Sequence, residues 1–221
     1  MSTLHHHPAM DESVAQQPGF RRLCIAFDVE GYRKRDGPGQ HAVQAALAEV
    51  LDTAARDVGL DRQSWYRQDS GDGELAVLPP GESDATVVGS FPPALDAALS
   101  DLHRRDGLVL RMRVAIGHGV AQPAAKGYAG AGVIEVSSIA DAQVLRTVLA
   151  GAQQARLVLA LSDRLFTDVV RGGYTPLRAA DFLRVPISEA KFSGTAWVRV
   201  PGVDPERLSV GPAQDDSLLR C

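Results

Sequence analysis

Two aspartates stand in settings suited to metal chemistry: Asp28 closes the apolar run "CIAFD", and Asp72 sits between glycines in "GDGELAVLP". Gly-Asp-Gly ahead of alternating apolar residues is first a turn signal, because glycine reaches positive φ freely and aspartate tolerates it. A turn alone would leave Asp72 as a solvated tip. Beside a second carboxylate it becomes half of a site. Two hard anionic oxygen donors with neighbouring backbone carbonyls suit Mg²⁺ or Mn²⁺ that is also held by a nucleotide's phosphates. Two such ions activate a hydroxyl and neutralise a pyrophosphate leaving group. Gly31, just past Asp28, lets the backbone approach those phosphates closely.

The flanking patterns supply elements that bring the pair together. "RRLCIAFDVEGY" predicts a buried strand that runs into Asp28 and breaks at Gly31. From Gln40 to Val58 the apolar residues fall at helical spacing, and Gly59 supplies the stop. "RQSWYRQ", the Gly-Asp-Gly turn and "ELAVLP" form a hairpin, and a second helix runs from Pro93 to His103. "LVLRMRVAIGHG" alternates as a strand with one apolar face, followed by a Gly-rich connection. Beyond it, "VIEVSSIADAQVLRTVLA" reads as one helix, "ARLVLAL" as a strand, "SDRLFTDVVRGG" as a capped helix and "KFSGTAWVRVP" as a final strand. This order predicts an α+β fold, a ferredoxin-like β-α-β-β-α-β core with a C-terminal α/β extension. In such a core the end of the first strand and the hairpin turn meet, so Asp28 and Asp72 can face one site.

The whole chain, 221 residues, is long enough for one well-buried core and short for two. A polar lead over 1–19 and a polar, proline-containing tail over 201–221 are expected to be flexible, leaving 20–200 as the domain. With 45% apolar and 23% charged residues the composition is that of a water-soluble globular protein. A net charge of -4 gives no electrostatic case for nucleic acid, and no apolar run is long enough to span a membrane. The lead lacks a signal peptide's apolar stretch, so the expected location is the cytoplasm. Cys24 lies in a buried-looking run and Cys221 is the last residue, an arrangement that does not favour a disulfide between them.

"FDVEGY", "GDGELAVLP" and "LRMRVAIGHGV" resemble, in order and spacing, three landmarks of class III nucleotidyl cyclases, the adenylate and guanylate cyclase catalytic domain. The resemblance covers roughly Leu23 to Trp197. It implies that Asp28, Asp72 and the carbonyl of Val29 hold two Mg²⁺ or Mn²⁺ ions. It also implies a homodimer with sites between two domains, and conversion of a nucleoside triphosphate to a 3′,5′-cyclic monophosphate and pyrophosphate. Any activator, and the receptor of the cyclic nucleotide, would be separate molecules.

The departures bear on substrate and turnover. At the family's base-reading positions stand Gln68 and Gly127, which cannot form the lysine–aspartate pair of adenylate cyclases. A glutamine amide both donates and accepts, so it can read several bases. Stand-alone bacterial relatives that make cyclic CMP or cyclic UMP in antiphage defence also depart here, and Tyr66 in "WYRQ" can serve such a pocket. Ile134 falls at the family's asparagine and Ser138 at its arginine; a one-residue shift would put Glu135 in place of Ile134 without restoring a cation. Groups that stabilise developing phosphate charge are worth about a hundred- to thousand-fold in rate each. Lys191 is the best replacement cation, ahead of Lys126 and Arg146, and is as readily read as a solvated lysine at a strand edge. Arg33, Lys34 and Arg35 read better as a solvated basic loop than as phosphate contacts, and His118 as structural. His5, His6 and His7 look adventitious. Glu74 either supports the metal or faces solvent. These losses keep a second reading open: a degenerate cyclase domain that binds a nucleotide or partner without turnover.

Overall fold

In this computed structural model residues 19–125 and 127–208 are described. Eight strands pair in the order β2-β3-β1-β4-β6-β8-β7, with the short β5 on β4. The first half has the expected succession: β1 (Phe20–Val29), α1 (Gly37–Asp57), β2 (Tyr66–Asp69), β3 (Gly73–Val77), α2 (Asp84–Gly89), α3 (Phe91–Asp106) and β4 (Met112–Ala124). Its strands run in the order β2-β3-β1-β4, each antiparallel to its neighbour. The second half adds β5 (Gly127–Ala129), α4 (Ala131–Asp141), α5 (Gln143–Gly151), β6 (Leu157–Ser162), α6 (Asp163–Leu165) with a π-helical turn over Phe166–Arg171, β7 (Leu183–Glu189) and β8 (Phe192–Arg199).

Alternation along the strands builds two cores, one on each face of the sheet. Leu23, Ile25 and Phe27 of β1 join Met112, Val114 and Ile116 of β4 beneath α1 and α3. Cys24 and Ala26 join Ala115, Val158 and Ala160 beneath α4 and α5. Asp28 continues the second set, so its side chain belongs to the α4/α5 side. Asp36 caps α1, its carboxylate accepting from Gly39 N at 2.9 Å, with Pro38 in the first turn.

Four expectations are corrected. The Gly-rich connection is largely strand: β4 runs on past His118 to Ala124 and returns as β5. The single helix after it is two, broken at Ala142, whose ψ is 137°. The cause is hydrophobic phase. Leu145 lies nine residues beyond Val136, about 180° round a continuous helix, and both must be buried against one sheet face. β7 was not anticipated, because its burial alternates over only a few residues around Pro186. Val203 and Leu208, past the final strand, pack on the second core. No helix among the described residues is long and apolar enough to cross a membrane.

Candidate functional site

Asp28 and Asp72 meet because β3 lies against β1 in one register. Gly73 pairs with Asp28, and Val29 N donates to the Asp72 carbonyl at 2.8 Å. The approach demands glycine at position 73, where a Cβ would sit 1.9 Å from the Phe27 carbonyl oxygen. The loop after β1 is tied to the hairpin from α1: Gln44 Nε2 donates to the Tyr32 hydroxyl at 2.8 Å and to the Gly71 carbonyl at 3.4 Å. Gly31 turns that loop at φ 74°.

Both aspartates line one cleft of about 1160 Å³. Its walls are the β1 end with Val29, Glu30 and Gly31, the loop carrying Arg33 and Lys34, and the inner faces of α4 and α5. Arg33 Nε approaches Asp72 Oδ2 at 3.4 Å from an exposed position. Arg113, register partner of Asp28 on β4, is the residue that sequence reasoning missed. Its buried guanidinium contacts Asp28 Oδ2, and its Nε donates to the Ala140 carbonyl at 3.1 Å. Burial, and then the positive charge of Arg146, pushes Arg113 down to about 10. The strand's alternation marks an arginine within an apolar run, and only the register of β4 against β1 sets it opposite Asp28.

The buried Oδ2 of Asp28 accepts no hydrogen bond of ordinary geometry and meets only that guanidinium. The Asp28 and Asp72 carboxylates and Val29, all lining one cleft, offer the hard oxygen donors that fit a divalent cation. Among the described residues no three His, Cys, Asp or Glu side chains gather for a metal, so the protein's share is two carboxylates and backbone. That is a donor set completed by phosphates and water, as Mg²⁺ prefers.

Gln68, Tyr66 and Gly127 are also brought together, on the α4 side of the sheet at its β2 edge. A Cβ on Gly127, φ 110°, would lie 2.5 Å from both the Gln68 Oε1 and the Tyr66 hydroxyl. The Tyr66 ring packs on Tyr128 with centroids 4.6 Å apart. None of the three lines the cleft that holds the aspartates. Trp65 turns to the other face and packs edge-on against Phe91. Lys191 lies exposed at the β7–β8 turn, also away from the cleft. Ile134, 41% exposed, and Ser138 lie one turn apart on α4.

Glu74 reaches the lining of the cleft but does not face water. It shares the Phe27 side of the sheet, where its carboxylate is buried against Arg62 at 2.6 Å, and Arg62 reaches Asp52 at 2.6 Å. Burial raises the Glu74 pKa in spite of that partner. Half-buried Glu135 is likewise raised by burial. The backbone carbonyl of His118 accepts from Arg21 at 2.9 Å. Lys126, His5, His6, His7 and Cys221 lie outside the described residues, as do 1–18 and 209–221 of the two terminal segments.

No protein-family model matches the sequence, and no curated protein resembles it in sequence. Solved structures do. The guanylate cyclase domain of RhGC from Catenaria anguillulae, in complex with GTP, superposes with a TM-score of 0.55 at 14% identity, over 83% of this chain and 99% of that one. The guanylyl cyclase Cya2 gives 0.55 at 16% identity, over 88% and 98%. The adenylate/guanylate cyclase/hydrolase from Silicibacter pomeroyi gives 0.53 at 16% identity, over 83% and 99%. The sheet order, the two helical layers and these superpositions together establish that the chain has the fold of the class III nucleotidyl cyclase catalytic domain.

Proposed function

We propose that the protein is a divalent-metal-dependent nucleotidyl cyclase, forming a 3′,5′-cyclic nucleotide and pyrophosphate from a nucleoside triphosphate. The observation that carries this is the convergence of Asp28, Asp72 and Val29 in one cleft, where Gly73 lets the hairpin close onto the first strand. Asp28, Asp72 and the Val29 carbonyl would hold two Mg²⁺ or Mn²⁺ ions, which when bound supply charge neutralisation at the leaving pyrophosphate and acidify the attacking hydroxyl. Arg113 adds a fixed cation beside Asp28, and Arg33 and Lys34 add two at the rim. In the reaction the ribose 3′ hydroxyl gives up its proton to water, its oxygen bonds to the α-phosphorus, the α–β bridging bond breaks, and pyrophosphate carries away the electron pair.

Gln68, Tyr66 and Gly127 read the base, and they do so for a second copy's cleft, since they do not line the one beside them. A homodimer with two sites at its interface follows, and Lys191 reaches the partner's phosphates on the same logic. Gln68 and Gly127 cannot form the lysine–aspartate pair that reads adenine, and this is what favours a pyrimidine. That base choice extends the proposal to signalling in antiphage defence, as in the bacterial pyrimidine cyclases that also depart from the purine-reading residues. Purified protein given Mn²⁺ and ATP, GTP, CTP or UTP in turn is expected to yield a cyclic monophosphate by mass spectrometry, most readily from CTP or UTP. Loss of that product in Asp28→Asn supports the metal assignment; undiminished product in the variant overturns it.

A second reading is favoured by Ile134 and Ser138, which bring no charge to the α4 face where developing phosphate charge needs one. Here the domain binds nucleotide as a regulator without turnover. Nucleotide-dependent Mn²⁺ binding without cyclic product would select it.

A further inference from the structure

The helix α5 forms a wall of the same cleft. Leu145, Val148 and Leu149 bury one of its faces in the core, while Gln143, Arg146, Thr147 and Ala150 line the cleft from the other. The spacing of those four, one face of a helix, leaves Arg146 as the cation that α5 presents. Its guanidinium is lightly engaged: Nε donates to the Asp141 carbonyl at 3.1 Å, and Nη2 approaches the Asp141 carboxylate at 3.2 Å. That carboxylate is 68% exposed, so the pair is a weak, water-screened one that an incoming anion can displace.

Arg146 and Arg113 line the same cleft. Asp28 neutralises one of these guanidiniums in part; the other is balanced only by an exposed carboxylate. Two guanidiniums converging on one cleft repel until a multiply charged anion lies between them, and the planar fork of arginine matches phosphate oxygens. The wall is held rigidly. Arg111 donates from Nε to the Ala155 carbonyl at 3.0 Å, and from Nη2 to the Leu149 carbonyl and to the Ala152 carbonyl at 3.2 Å. Its Nη1 meets Glu30 at 3.1 Å, so the end of α5 and the loop after Val29 are pinned to one side chain.

We propose that Arg146 is a phosphate-binding residue, taking with Arg113 the polyphosphate tail of the nucleotide, so that α5 is the anion-binding wall of the cleft. The identity of the ligand as a nucleoside triphosphate rests on the cyclase reading; the anion site does not.

The test is calorimetric titration of inorganic triphosphate, with Mn²⁺ present, into the full chain and into Arg146→Gln, Arg146→Lys and Asp141→Asn. Arg146→Gln is expected to bind about ten- to a hundredfold more weakly, the loss of one charge-assisted pair, with an unchanged thermal midpoint. Arg146→Lys keeps part of the affinity as a point charge, and Asp141→Asn binds more tightly because it frees the guanidinium. Equal affinity in Arg146→Gln and the parent chain overturns the proposal, and cyclic product from the parent would still leave the cyclase reading standing. Weakened binding in Arg146→Gln, with no cyclic product from the parent, supports the anion wall and overturns the cyclase. A parent chain that binds no triphosphate overturns the anion wall.

Discussion

Replacing Gly73 by alanine tests whether the contact between hairpin and first strand makes the site. The added methyl would sit 1.9 Å from the Phe27 carbonyl oxygen and 3.2 Å from the Asp28 Cα, whereas ordinary contact begins near 3.4 Å. Both are backbone atoms inside a paired ladder, so no side chain can swing away. The strands must part locally by about 1.5 Å, which is large for a close-packed interior. That displacement falls where Val29 N meets the Asp72 carbonyl at 2.8 Å, the bond that holds the carboxylates together. Overpacking of this kind costs about 1–3 kcal/mol of stability. A reacting group displaced by about 1 Å costs roughly a hundredfold in rate. Gly73→Ala is therefore expected to remain folded by circular dichroism, to bind Mn²⁺ more weakly by electron paramagnetic resonance, and to lose about a hundredfold in cyclic product. Gly71→Ala is the control: it meets no atom within 4 Å and pays only for φ 81°, about 1–2 kcal/mol. A Gly73→Ala chain with parental Mn²⁺ affinity and rate would refute the claim that this close approach builds the site.

Arg62→Met leaves Glu74 buried without its cation and is expected to lower urea stability by about 3–5 kcal/mol, while Arg62→Met with Glu74→Leu recovers most of it. A double variant as unstable as the single would show that the pair itself stabilises. Burial pushes the Cys24 thiol up to about 12 from 9.0, so the folded state keeps a proton that the unfolded chain gives up earlier. Stability is then intact below about pH 9 and falls as pH rises towards 12, and thermal midpoints of Cys24→Ala should lose that part of the decline. Gln68→Ala should redistribute kcat/KM among the four nucleotides while leaving Mn²⁺ affinity unchanged; equal loss with every base would remove Gln68 from base reading.

The first half of the fold was legible because each element carries its own signal. Alternation in "RRLCIAFD" is local, as in Leu23, Ile25 and Phe27, and Gly-Asp-Gly marks a turn wherever it occurs. Asp28 and Asp72 could be paired from topology alone, since consecutive antiparallel strands put a strand end beside a hairpin tip. Arg113 could not, because its contact depends on the register of β4 against β1, which a single strand does not encode. The break at Ala142 was hidden for a related reason. Nothing at that residue stops a helix, and only the half-turn slip between Val136 and Leu145 reveals it. Glu74 misled because two residues in a strand do share a face, yet Asp72 sits in the turn before β3 begins, so the alternation does not extend to it.

The central claim is that Asp28 and Asp72 together support cyclisation. Phosphorus NMR of one reaction, with Mn²⁺ and the preferred triphosphate, reads cyclic phosphate and pyrophosphate at once for the parent chain and for Asp72→Asn. Equal amounts of both products from the parent and neither from a folded Asp72→Asn is the result predicted. Cyclic product at the parental rate from Asp72→Asn, or pyrophosphate released without cyclic product by the parent, would contradict the account.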